Sequence, residues 1–269
     1  MYILYIILNF LSWLNPIPAP PANNGVCNQI NNSFVSGEKL RYNIYYNVIG
    51  LYVNAGSAEL TTQSSNWNGS DAFIFTATGR SNSKYDWIFK VRDKYESIVD
   101  AKSLLPYQFT RQINEGGFHQ FEAIQFNQKG KTATTADITY KTADCTHDVI
   151  SAIYAARNIN YAFCQMNDKI FLNFFLDKEL YPSYFKFLGR DVITTKFGKF
   201  RVIKIAPLLV KGTVFDGGEK MTIWVTDDDN HIPVRIETPI IVGSIKIDMV
   251  GYQNLKHPLT SLVELVDTK

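Results

Sequence analysis

Thr146-His147-Asp148-Val149-Ile150-Ser151-Ala152-Ile153-Tyr154-Ala155-Ala156-Arg157-Asn158 is the stretch on which the fold turns. Within it Val149, Ile150, Ile153 and Tyr154 recur at helical spacing. Thr146 is a suitable N-cap, and the asparagines at 158 and 160 supply a stop. It is the one place where the apolar period is clearly 3.6, and the segments around it follow a period of two. The sequence therefore predicts one helix set in a β chain.

Toward the N-terminus, Tyr85, Trp87, Phe89 and Val91 alternate with Asp86, Lys90 and Arg92, which predicts a strand with an aromatic face. Pro106 to Glu115 and Phe118 to Asn127 read as a hairpin over Gly116-Gly117, with a further strand from Lys131 to Tyr140. Earlier strands are expected at Glu38 to Asn47, Leu51 to Thr62, Ser70 to Gly79 and Tyr95 to Ala101. Beyond the helix, Ile170 to Leu176 is apolar on both faces and should be covered on both sides. Two hairpins follow, Asp191 to Thr195 with Phe200 to Ala206, and Glu219 to Thr226 with Ile232 to Thr238. The strand from Gly243 to Tyr252 closes the series. Composition agrees: 14% of the 269 residues are aromatic and 46% apolar, with only 19% charged. The expected fold is mainly β, a single curved antiparallel sheet with the one helix against its concave face. It forms one domain over residues 34–258, between a linker at 23–33 and a C-terminal tail at 259–269.

Residues Tyr2 to Leu14 form an apolar run too short for a comfortable membrane span, followed by a Pro/Ala/Asn stretch. Residues 1–22 are therefore read as a signal peptide, and the chain as exported. The competing readings are an unprocessed anchor or an intracellular chain. After signal removal no segment is long and apolar enough for an integral span. A net charge of +2 gives no electrostatic footprint for nucleic acid.

Of the three cysteines, Cys27 follows the signal but is preceded by a poor lipobox, so lipidation there is disfavoured. Cys145 and Cys164 flank the helix. In an oxidising compartment they either pair or stay as buried thiols. No cysteine–histidine spacing resembles a zinc site. Asp227-Asp228-Asp229 lacks the glycine and closing glutamate of a calcium loop and reads as a hairpin turn. Glu115, Glu122 and Asp228 have no spacing that would bring a catalytic pair together. The four histidines are scattered, and Ser151 lacks the glycines of a nucleophile elbow. No catalytic, metal or cofactor site is assigned, which points away from an enzyme.

The informative constellation is apolar. Tyr42, Ile44, Tyr46, Phe73, Phe75, Tyr85, Trp87, Phe89, Ile223, Ile245, Ile247 and Met249 all sit on period-two faces. On a curved sheet they would line either a ligand cavity or a packed core, since both use the same residue types.

Several motifs line up along the chain. They are Gly37-Glu38-Lys39-Leu40-Arg41-Tyr42, the helical Asp148 to Arg157, Gly189-Arg190-Asp191, Ile223 to Asp228 leading to Ile232-Pro233-Val234-Arg235, and Gly243-Ser244. The set resembles the bacterial domain of unknown function DUF3108, over about Phe34 to Leu255. That resemblance implies an exported protein of the periplasm or outer-membrane periphery of a Gram-negative bacterium. Its layout is similar to the unclosed β-barrel of the LolA/LolB type, whose members carry lipoproteins by their acyl chains. By analogy, the partners would be a lipid or lipoprotein, or another envelope protein. The expectation is a non-catalytic carrier of a hydrophobic ligand. The alternatives are a solid scaffold that docks through an exposed patch, and, more remotely, an enzyme acting on envelope glycan or peptide.

Overall fold

The computed structural model describes residues 25–27, 29–48, 50–136, 138–209, 217–240 and 243–265. The expected signal peptide, residues 1–22, lies outside them. Sixteen strands are present. Before the helix run β1 (Lys39–Val48), β2 (Leu51–Trp67), β3 (Ser70–Ser81), β4 (Arg92–Asp100), β5 (Pro106–Glu115), β6 (Phe118–Asn127), β7 (Thr132–Thr135), β8 (Ile138–Lys141) and β9 (Thr146–His147). The helix α1 (Val149–Ala156) follows. After it come β10 (Lys169–Leu176), β11 (Glu179–Thr194), β12 (Gly198–Pro207), β13 (Thr222–Thr226), β14 (Pro233–Pro239), β15 (Ser244–Gln253) and β16 (Leu262–Leu265).

The strands form one sheet in the order β8-β7-β6-β5-β4-β3-β2-β1-β15-β14-β13-β12-β11-β10-β9, with β16 on the edge of β12. All pairs are antiparallel except β9 with β10. The two ends of this order, β8 and β9, are consecutive in the chain yet share no ladder, so the sheet is not closed.

Helix α1 shows how strongly the sheet curves. Its Tyr154 ring stacks on Phe75 of β3 with centroids 3.7 Å apart. Its opposite side, Ala152, Ala155 and Ala156, packs in one cluster with Ile203 and Ile205 of β12. β3 and β12 lie six positions apart in the sheet order, so both can touch one helix only if the sheet wraps around it. The helix starts later than Thr146. Asp148 is the N-cap and accepts from the backbone N–H groups of Ile150 and Ser151. Thr146 belongs instead to the short parallel strand β9.

Side chains stitch the seam between the sheet's ends. Phe126 and Tyr140 pack on Phe175. Asn173 Nδ2 donates to the Asp144 carbonyl, and Arg111 of β5 reaches Asp177 past the end of β10 at 2.6 Å. Ile170 and Leu172 face one cluster and Phe175 another, so β10 is covered on both sides as its sequence predicts.

Two expected flanking segments belong to the domain. Within the linker, Gly25 bridges Phe171 of β10, and Val26 and Ser33 are buried. Within the tail, Leu259 and Leu262 pack on the core and β16 pairs with β12. In both, isolated apolar residues find partners that are remote in sequence.

The strand expected at Tyr85 to Val91 does not form. Asn82 caps a short 3-10 turn at Ser83–Tyr85, and the N–H groups of Ile88 and Phe89 return to the Tyr85 carbonyl. Asp86 accepts from Ser81 and from the Arg92 guanidinium at 2.6 Å. Local polar bonding wins over the aromatic alternation.

Candidate functional site

Cross-strand register assembles an apolar row that the sequence hides. Ile44 of β1 lies opposite Ile247 of β15, and Ile247 opposite Ile236 of β14. Ile236 then lies opposite Ile223 of β13, and Ile223 opposite Ile205 of β12. Five isoleucines thus cross five neighbouring strands on one face, because residues paired across a ladder share a face. Ile205 is buried in the helix cluster, and Ile223 packs against that cluster. Ile44, Ile236 and Ile247 are only half-buried. A second rung, Tyr46 opposite Ile245 opposite Thr238, lies beside it.

The twelve expected lining residues separate into four groups. Ile44, Tyr46, Ile223, Ile245 and Ile247 form or adjoin the row. Tyr42 and Met249 are buried in the cluster with Leu40 and Phe200. Phe73 and Phe75 pack with Phe34 and Tyr154. Tyr85, Trp87 and Phe89 project from the β3–β4 connection, and Trp87 is 83% exposed. Ile236 and Ile205 were missed because their neighbours in sequence give no hint of the register.

The second rung lies on the side of the row nearer the end of the barrel that carries the β1–β2, β3–β4 and β5–β6 connections. Leu51, Tyr52, Val53, Trp87, Ile88, Phe89 and Phe118 are exposed there. The base of the β3–β4 connection is bonded to β2 through Asn82 N–H to the Ala55 carbonyl. The Gly116 N–H donates to the Lys90 carbonyl, and the Phe89 ring lies over Gly116.

The opposite end is tied shut. Arg157, which follows α1, makes a bidentate pair with Glu38 at 2.6 and 2.8 Å, both side chains almost fully buried. Its remaining donors reach the Asn230 and Ser33 carbonyls at 3.0 Å. The guanidinium also lies over the rings of Phe34 and Tyr154. Two of the quoted sequence motifs meet in this cluster, 37–42 through Glu38 and 148–157 through Arg157. Burial pushes the Tyr42 and Tyr154 hydroxyls well above the ordinary tyrosine range, which keeps them neutral.

Cys145 bonds to Cys27, not to Cys164, which is free. The sequence left Cys145 and Cys164 either paired with each other or as buried thiols, and neither reading included Cys27 as a partner. The N-terminal segment instead docks along β10 and brings Cys27 to the seam.

The remaining polar candidates have local partners. Asp228 accepts from Thr226, Asn230 and Ser261 and holds the β13–β14 turn. Asp227 pairs with Arg190. His119, His231 and His257 contact Asn114, the Arg157 carbonyl and the Asn32 carbonyl respectively. His147 and Ser151 are in contact at 3.2 Å but fully buried, and the Asp148 carboxylate accepts from Ser97 and the helix N-terminus. Burial lowers His147 to about 4, so the ring is neutral. This trio caps the helix. Among the described residues no group of three or more His, Cys, Asp or Glu is placed to hold a metal. A polar groove of about 670 Å³ crosses β1 to β5, with Arg41, Arg80 and Arg92 on its walls.

The family profile for "Protein of unknown function (DUF3108)" matches residues 41–250, most of the chain. The chain belongs to the DUF3108 family. The DUF3108 fold is similar to the β-barrel-like protein of the DUF1849 family from Brucella abortus. The TM-score is 0.56 at 11% identity, over 84% of this chain and all of that one. A Bacteroides fragilis protein with a YmcC-like fold, designated exported by prediction, also aligns. Its TM-score is 0.35 at 10% identity, over 84% of this chain and 99% of that one. No curated protein matches. The Cys27–Cys145 disulfide fits an oxidising compartment outside the cytoplasm.

Proposed function

We propose that this DUF3108 protein is an exported, non-catalytic binding protein that holds a lipid-like chain, free or attached to a lipoprotein, against the isoleucine row. The compartment would be the periplasm or outer-membrane periphery of a Gram-negative cell. The observation that carries the reading is the in-register row itself, half-buried at Ile44, Ile236 and Ile247. Ile247 packs at the edge of a core cluster, and with Ile44 and Ile236 it keeps part of its apolar surface accessible, as the walls of ligand sites do. Five strands span four spacings of about 4.8 Å, or about 19 Å, the length scale of an extended long acyl chain.

The test is uptake of a fluorescent fatty acid by the purified protein, and by Ile44→Ser/Ile245→Ser. Wild type should bind the probe. The double variant should lose roughly tenfold or more in affinity, the loss expected from removing apolar contact area, with its far-UV circular dichroism unchanged. A wild-type protein that takes up no probe, or a variant that binds it equally well, would overturn the reading.

A further inference from the structure

We infer that the exposed rim formed by the β3–β4 connection, with the neighbouring β1–β2 and β5–β6 tips, docks on an anionic lipid surface. The inference rests on surface residues outside the isoleucine row and holds whether or not a chain binds there.

Trp87, Ile88 and Phe89 are consecutive and exposed at 83%, 63% and 51%. Solvated hydrophobes normally occur singly, and three in a row at one loop tip mark a contact surface. Phe118 lies on the adjoining hairpin, with Phe89 resting over Gly116 between them. Leu51 and Val53 project from the strand to which the loop base is bonded. The loop base is rigid: Asn82 caps it, and the Asp86–Arg92–Ser81 network holds it. The tip is therefore presented in one orientation.

Charge favours a lipid surface over a protein patch of either sign. The loop's one acid, Asp86, is neutralised by Arg92 at 2.6 Å, which also holds its carboxyl below the usual range. Lys84 and Lys90 flank the apolar tip and are exposed, and Lys90 adds its field to that of Arg92 on Asp86. Lys246 lies over the Tyr52 ring at 4.1 Å and adds a third cation at the neighbouring tip. Aromatic rings with flanking lysines are the composition of an interfacial anchor, where rings enter the headgroup layer and ammonium groups meet anionic lipid.

The purified protein is tested by co-sedimentation with phosphatidylcholine vesicles, with and without phosphatidylglycerol. Trp87 emission is followed as the difference between wild type and Trp87→Phe. Wild type should sediment with the phosphatidylglycerol vesicles, and Trp87 emission should move to shorter wavelength. Trp87→Ser/Phe89→Ser should lower vesicle affinity roughly tenfold or more, in line with the apolar area lost from the interface. Lys84→Glu/Lys90→Glu should lower it on anionic vesicles and remove the fall in binding with added salt that the wild type shows. Fatty-acid uptake without vesicles should be unchanged in both variants, so failure of docking and failure of chain binding read out separately. No sedimentation with either vesicle would overturn the inference. So would equal sedimentation of Trp87→Ser/Phe89→Ser, or a wild-type dimer that this variant makes monomeric.

Discussion

The two ends of the barrel are built from similar residues and behave in opposite ways. At the end where Arg157 lies, Phe34, Phe75 and Tyr154 are buried around the Arg157–Glu38 pair, and segments far apart in sequence close over them. At the other end Trp87, Ile88, Phe89 and Phe118 meet solvent on hairpin tips. An aromatic residue becomes core or contact surface according to what the topology brings over it. One end has the helix, the N-terminal segment and the β13–β14 turn; among the described residues the β1–β2, β3–β4 and β5–β6 tips at the other end have no such cover.

The largest expected effect breaks the closed end. Arg157→Ala leaves Glu38 charged and buried, which costs about 3–5 kcal/mol, seen as a drop in urea midpoint. Arg157→Met/Glu38→Leu should recover much of the loss. If the single variant is as stable as wild type, the clamp does not hold that end shut.

Next comes the seam. The disulfide spans 118 residues, and closing a loop of that order stabilises by about 5 kcal/mol on chain-entropy reckoning. Thermal melts of oxidised, reduced and Cys27→Ser/Cys145→Ser protein should show the loss in the last two alone.

The helix N-terminus adds a pH dependence. His147 falls to about 4 in the fold, below its unfolded value of about 6.5. The unfolded chain therefore binds this proton first. The stability contribution is whole above about pH 6.5 and is lost as pH falls toward 4, by roughly 3 kcal/mol. Neighbouring Asp148 is raised by burial, so it works in the opposite direction as pH falls. Denaturation midpoints of wild type and His147→Gln across this window should differ in slope, the variant being flatter.

The smallest effect belongs to the open rim. Trp87→Ser should change stability by no more than about 0.5 kcal/mol, as exposed substitutions do. A larger loss would mean that the rim is structural and the contrast between the ends false.

The strand series, the lone helix and the hairpins at Gly116-Gly117 and at Asp227 to Asn230 were legible because period and turn chemistry are local properties. The Tyr85 to Val91 strand was misread because alternation cannot register that Asp86 is engaged by Ser81 and Arg92. Three of the row's five isoleucines were legible, and Ile205 and Ile236 were not. Ile44, Ile223, Ile245 and Ile247 announce a face, but only register shows that they adjoin and that Ile236 completes the row. Gly243, quoted as part of a motif, has its reason in space: its φ is +86° and it lies against the Asn47 carbonyl.

The sequence by itself determined that this is a mainly β domain with one helix, since periodicity and composition are written along the chain. Only the tertiary structure decided that Cys27 meets Cys145, that Glu38 meets Arg157, and which aromatics are covered. Those outcomes depend on how far the sheet curls, which is set by contacts between residues about a hundred positions apart.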